Sequence, residues 1–184
     1  VHAAGAGELV RTGMGALPGA KTWQHFKYGY GPHIDGMFSQ SNFGICTKMG
    51  FWLMPQPEAY RAGLVLVPRR RDLIALVDHV NYLEHASLIG QPNYGCPLQR
   101  LVPTEPELRS LLEKPGGPTD DELDRFAASH DSAVWQCELQ FYGPARTVDV
   151  NWEYAKERIA TAITGARFEE RESYRFPLST QDKE

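Results

Sequence analysis

AGLVLVPRRRDLIALVDHVNYLEH, residues 62–85, carries the reading of the fold. Residues 62–67 are apolar and β-branched without polar alternation, the pattern of a buried strand, and Pro68 ends the run. Beyond three arginines and Asp72, the residues Leu73, Leu76, Val77, Val80 and Leu83 recur at steps of three and four, which predicts a one-sided helix over 71–85. The same pair returns downstream. Residues 133–142, with Val134, Trp135, Leu139 and Phe141, read as a strand. Gly143-Pro144 then opens a long helix to Ile163, with Val148, Trp152, Ala155, Ile159 and Ala162 on one face and Gly165 as its stop. Residues 167–174 form a last strand. Between the two pairs lie a Gly/Pro-rich loop over 88–103 with one short strand, a short helix over 105–114, and a helix over 119–129. In the last, Thr119 and Glu122 stand at capping-box spacing. Strand, helix, strand, insertion, strand, helix, strand predicts an α+β domain. Its helices lie on one face of an antiparallel sheet, in a split βαβ, ferredoxin-like arrangement.

Upstream the composition is different. Residues 8–12 alternate as a strand, and Gly13, Gly15, Pro18 and Gly19 then break regularity. Residues 23–38 mix Trp23, Phe26, Tyr28, Tyr30 and Phe38 with glycines, too apolar for a solvated linker. Residues 44–54 read as a strand ended by Pro55 and Pro57, and the change of character there marks a boundary between two structural units.

The chain has 184 residues, enough for one domain or two small ones, with 42% hydrophobic and 23% charged residues. That mix excludes disordered, collagen-like and coiled-coil classes. A net charge of -4 gives no broad electrostatic reason to hold nucleic acid, and no apolar run reaches the length of a membrane span. Cys46, Cys96 and Cys137 are odd in number and widely spaced, so reduced thiols are expected rather than a disulfide framework. The histidines lack ligand spacing, so no metal site is expected. There is no signal peptide, and the chain opens at Val1 rather than Met, so a piece of a longer protein is expected.

Asp35 to Thr47 is the most unusual stretch, because Ser39, Ser41 and Gly44 would let backbone approach a flat or anionic ligand. On composition alone it is a turn before a strand. His33 and Asp35, two apart, suggest an acid–base pair, although a loop hydrogen bond explains them as well. Arg69-Arg70-Arg71 could dock a phosphate or an acidic partner, but reads more simply as a solvated face. Trp135 and Trp152 could line an aromatic pocket, but fall on predicted core faces.

GELVRTGMGALPG at 7–19, FKYGYGPHIDGMFSQSNFGICTKMGFWLMPQP at 26–57 and VDVNWEYAK at 148–156 together resemble the vanillyl-alcohol oxidase and 4-cresol dehydrogenase (p-cresol methylhydroxylase) flavoproteins, the family of eugenol oxidase. The resemblance is dense over 7–57 and patchier beyond, and it covers only a middle segment of the family's chains. It implies that 1–57 is the end of a p-cresol-methylhydroxylase-type FAD-binding domain. It also implies that 58–184 is the first, ferredoxin-like part of the substrate-binding cap. It places Ser41, Asn42, Gly44 and Ile45 against FAD. The implied activity is oxidation of 4-alkylphenols of the vanillyl alcohol, eugenol or 4-cresol type, by hydride transfer to flavin. The implied partners are the phenolic substrate and either a homo-oligomer or a cytochrome electron acceptor, in the cytoplasm or, if cytochrome-coupled, the periplasm. The family's pyrophosphate loop, covalent flavin link and phenolate ligands lie outside this segment. No catalytic residue is therefore named, and the chain alone is expected to be inactive. The competing readings are a non-catalytic ferredoxin-like binding or assembly module, and a diverged member acting on another alcohol.

Overall fold

The computed structural model describes residues 2–5, 8–22, 35–50 and 52–179, and the chain divides into two compact units, Val1–Pro55 and Gln56–Glu184. In the first unit, β1 (His2–Gly5) and β2 (Glu8–Arg11) form an antiparallel hairpin in register from His2↔Arg11 to Gly5↔Glu8. Short 3₁₀ turns follow at Gly13–Ala16 and Asp35–Phe38. The strand expected over 44–54 does not form: residues 44–50 and 52–54 enter no ladder. Ile45, Met49, Trp52, Leu53 and Met54 are exposed, Leu53 to 76%. An apolar run becomes a strand only when another strand takes up its N–H and C=O groups. Among the described residues none does so here. The aromatic stretch 23–34 lies outside the described residues.

The second unit contains β3 (Ala59–Val67), α1 (Leu73–His85), β4 (Asn93–Gly95), α2 (Pro106–Glu113), α3 (Asp120–Ser129), β5 (Trp135–Gly143), α4 (Ala145–Ala162) and β6 (Arg167–Arg175). Its four-stranded antiparallel sheet has the order β4-β5-β3-β6. The two central strands pair without interruption from Ala59↔Gly143 to Val67↔Trp135. One face of the sheet carries both long helices. Leu76, Val80 and Leu83 of α1 and Val148, Trp152, Ala155 and Ile159 of α4 share one core with Val65, Val67, Cys137, Leu139 and Phe141. Leu76 and Ile159 are fully buried, as their one-sided stripes require.

Trp152 is the keystone of this layer. Its indole is fully buried, edge-on to Phe141 at 5.7 Å and to Phe168 at 6.1 Å, and its Nε1 donates to Glu170 Oε1 at 3.0 Å. The ring fits because residue 63 is glycine: a Cβ there would stand 2.4 Å from Trp152 Cη2. Beside it Arg61 reaches from β3 to Asp149 of α4 at 2.7 Å and to Glu170 of β6, tying three elements together. At this point β6 bulges, since Arg61↔Ser173 and Gly63↔Glu170 set two steps of β3 against three of β6.

The insertion builds a second, smaller core of Leu98, Leu108, Leu123, Phe126, Ala127 and Val134. Helix α3 begins with the expected capping box: Glu122 N–H donates to Thr119 Oγ1 at 3.3 Å, and Thr119 N–H donates to Glu122 Oε2 at 2.8 Å. In the arginine triplet, Arg70 and Arg71 are exposed and Arg69 is half-buried. Arg69 pairs with Asp72 at 2.7 Å and Arg70 with Asp120 at 3.1 Å, so carboxylates already neutralise two of the three arginines. Among the described residues no helix is long and apolar enough to cross a membrane.

Candidate functional site

The turn singled out in the sequence follows the 3₁₀ turn Asp35–Phe38, which closes with Ser39 N–H donating to Gly36 C=O at 3.2 Å. Gln40 then takes a left-handed backbone, φ +52°, which reverses the chain. Beyond the reversal, the Ser41 hydroxyl oxygen is buried and lacks a hydrogen-bond partner. Asn42 and Phe43 project into solvent, Gly44 is half-buried, and Ile45 is 71% exposed. A buried hydroxyl without a partner costs about 1–3 kcal/mol, so Ser41 is a polar group for which a bound ligand would supply the missing bond. This fits the edge of a flavin, whose ring bears carbonyl and nitrogen atoms. Ser41, Asn42, Gly44 and Ile45 therefore sit together on one short turn with backbone and a hydroxyl to offer. Asp35 opens the turn, but His33 lies outside the described residues, so the pair is not placed. Cys46 is exposed, its thiol donating to Lys48 C=O at 3.7 Å.

In the second unit, the sheet face opposite α1 and α4 presents a tyrosine ladder that the sequence did not announce. Tyr60 lies 4.9 Å from Tyr142 and stacks on Tyr174 at 5.9 Å, ring centre to ring centre. The three sit on neighbouring strands and meet through the register Tyr60↔Tyr142 and Tyr60↔Tyr174. A groove of about 330 Å³ runs beside Tyr60 over Leu64, Gln136 and Glu138 to Arg171 and Glu172. Burial, then Tyr142 and Glu138, pushes the Tyr60 phenol up to about 12. Alternate tyrosines on separate strands are invisible until strand pairing is known. Of the two tryptophans weighed as pocket linings, Trp152 is core, and Trp135 is half-buried with its indole N–H given to Arg70 C=O at 2.9 Å. Cys137 is buried against the helices, and burial raises its thiol to about 12, which leaves it inert.

No family model matches the chain. It is 37% identical over 150 residues to the 4-cresol dehydrogenase [hydroxylating] flavoprotein subunit of Pseudomonas putida, covering 80% of this chain and 28% of that protein. It is 38% identical over 78 residues to 1'-carboxy-chondrochloren decarboxylase of Chondromyces crocatus, covering 42% of this chain and 14% of that one. Among solved structures, p-cresol methylhydroxylase with substrate bound superposes with a TM-score of 0.70 at 33% identity, over 89% of this chain and 32% of that one. The 4-ethylphenol oxidase of Gulosibacter chungangensis in complex with isoeugenol superposes at 0.67 with 32% identity, over 96% of this chain and 34% of that one. The chain thus spans about a third or less of each of these relatives. Sequence and fold point to the same proteins, and the chain is a partial relative of the 4-cresol dehydrogenase (p-cresol methylhydroxylase) flavoproteins.

Proposed function

We propose that this chain is part of an FAD-dependent oxidoreductase acting on 4-alkylphenols, with 1–57 closing the flavin domain and 58–184 opening the cap. The observation that carries the reading is the relationship to the 4-cresol dehydrogenase flavoprotein subunit across 80% of the chain. The strand order β4-β5-β3-β6 with both long helices on one face supports a split βαβ, ferredoxin-like half-cap. On this reading Ser41 hydrogen-bonds the flavin, and the backbone at Asn42, Gly44 and Ile45 packs along it. FAD, when bound, supplies the acceptor for the two electrons that leave the benzylic carbon as hydride. The phenolic proton departs as well, so the organic product is a quinone methide, balanced as loss of one hydride and one proton. The flavin needs a second wall and the phenolate needs ligands from outside this segment. The 184 residues alone therefore lack the orientation that is worth about 7–11 kcal/mol in well-aligned systems, and they do not turn over phenols. The relative's standing as a flavoprotein subunit supports a partner chain as electron acceptor.

A second reading rests on the decarboxylase relative: a diverged member whose substrate is another alcohol or acid rather than a simple 4-alkylphenol. Anaerobic bleaching of the flavin in the longer protein that contains this chain separates the two. Saturable bleaching by vanillyl alcohol, eugenol or 4-cresol, and none by 4-methylanisole, which lacks the phenolic hydroxyl, supports the first. Failure of all the phenols rejects it.

A further inference from the structure

Between α2, α3 and the start of β5 lies a recess of about 240 Å³. Its floor is Leu98, Leu108, Leu123 and Val134, all buried, and Leu112, 47% exposed, stands at its rim. The recess opens to solvent beside Leu112, and even a closed apolar cavity of about 150 Å³ is enough to admit benzene. Helix α2, one wall of the recess, is tied to its surroundings at several points. Lys114 pairs with Glu122 at 2.8 Å, Glu105 lies 3.6 Å from His130, and Arg109 donates to the carbonyls of Val102 and Pro103 at 3.3 and 3.2 Å.

Two of the polar groups at the edge are already committed, and the Gln99 amide lines the recess beside them. The Trp135 indole N–H goes to Arg70 C=O at 2.9 Å, and the Arg70 guanidinium to Asp120 at 3.1 Å. A charged occupant would find no free counter-charge among these groups, whereas an uncharged, mainly apolar one matches the leucine-lined floor. Two features favour a ring over an alkyl chain: the flat indole of Trp135 and the sulfur of Cys96 both line the recess, and both make favourable contacts with aromatic rings. We propose that this recess binds one neutral single-ring aromatic molecule with the size and polarity of an alkylbenzene. The site lies wholly within the second unit and is independent of the flavin reading.

Ethylbenzene is the probe, since it lacks the phenolic hydroxyl that the flavin chemistry requires. Cys96, half-buried in the wall, reports occupancy through its alkylation by iodoacetamide, with peptide mapping to separate it from the exposed Cys46. The expected result is a several-fold, saturable slowing at Cys96 with Cys46 unchanged. Leu112→Trp, which plugs the rim from a solvent-exposed position, abolishes the slowing while leaving the melting temperature near that of the wild type. Unchanged Cys96 reactivity in the wild type, equal slowing at both cysteines, or full protection persisting in a folded Leu112→Trp protein overturns the proposal. If Leu112→Trp does not fold, saturation-transfer NMR of ethylbenzene on the wild type decides: transfer lost on blocking Cys96 supports the site, and transfer absent or unaffected rejects it.

Discussion

Replacing Gly63 with alanine should destabilise the second unit out of proportion to one methyl group. An ideal Cβ at this position stands 2.4, 2.5 and 2.7 Å from three carbons of the Trp152 ring, so the ring must retreat by about 1 Å to reach ordinary contact. It has nowhere to go. The indole is fully buried, Phe141 and Phe168 flank it, and its Nε1 is held by Glu170 at 3.0 Å. Overpacking of this kind costs about 1–3 kcal/mol, and losing a hydrogen bond to a charged carboxylate about 1.5–3 more. Stiffening of the unfolded chain by alanine returns about 0.4–1. The net loss is about 2–5 kcal/mol, which lowers the melting temperature by roughly 8–20 °C at roughly 4 °C per kcal/mol. Urea denaturation followed by circular dichroism measures it. Shrinking the ring should rescue the methyl, so Gly63→Ala in a Trp152→Leu background should be less destabilised than the sum of the single changes by at least about 1.5 kcal/mol. A Gly63→Ala protein within about 0.5 kcal/mol of wild type, or strict additivity with Trp152→Leu, would refute the steric argument.

Thr119→Ala removes the cap of α3 and should cost about 1 kcal/mol, read from the same denaturation curves. Lys114, then Thr119, hold the Glu122 carboxyl down at about 2 from an ordinary 4.5. Its folded pKa is depressed, so its contribution is present above about 4.5 and is lost as pH falls from there towards 2; Glu122→Gln should flatten the stability profile in that window. Gly44→Val, which puts a branched Cβ where backbone is proposed to meet the ring, should lower the flavin-to-protein ratio of the longer protein while leaving its melting temperature nearly unchanged. Equal flavin content in wild type and variant would count against Gly44 as a contact.

The two strand–helix pairs were readable because their apolar stripes are one-sided: Leu76, Val80 and Leu83, and Val148, Trp152 and Ile159, had to face one sheet. The start of β3 was not. Ala59, Tyr60 and Arg61 belong to it, but an arginine inside a strand reads as a boundary until Asp149 and Glu170 are seen to neutralise it from α4 and β6. The one short strand expected within 88–103 is β4, three residues long, but its pairing with β5, Asn93↔Glu138 to Gly95↔Gln136, is encoded by no local pattern. The run 44–54 has the composition of a strand without a strand to pair with among the described residues, which shows how far pairing outweighs propensity. The turn at 41–45 was legible as an oddity of small residues. The buried, unpartnered Ser41 hydroxyl emerged from the coordinates. The tyrosine ladder was hidden for the same reason as the β4 pairing: Tyr60, Tyr142 and Tyr174 are far apart in sequence and adjacent through register alone.

The central claim is that a phenol gives up a benzylic hydride to flavin. Anaerobic stopped-flow bleaching of the flavin in the longer protein tests it directly, comparing 4-ethylphenol carrying deuterium at the benzylic carbon with the same compound deuterated on the ring. The account predicts saturable bleaching that benzylic deuterium slows several-fold and ring deuterium leaves unchanged. Bleaching at the same rate with both labels, or no bleaching by any 4-alkylphenol, would contradict it.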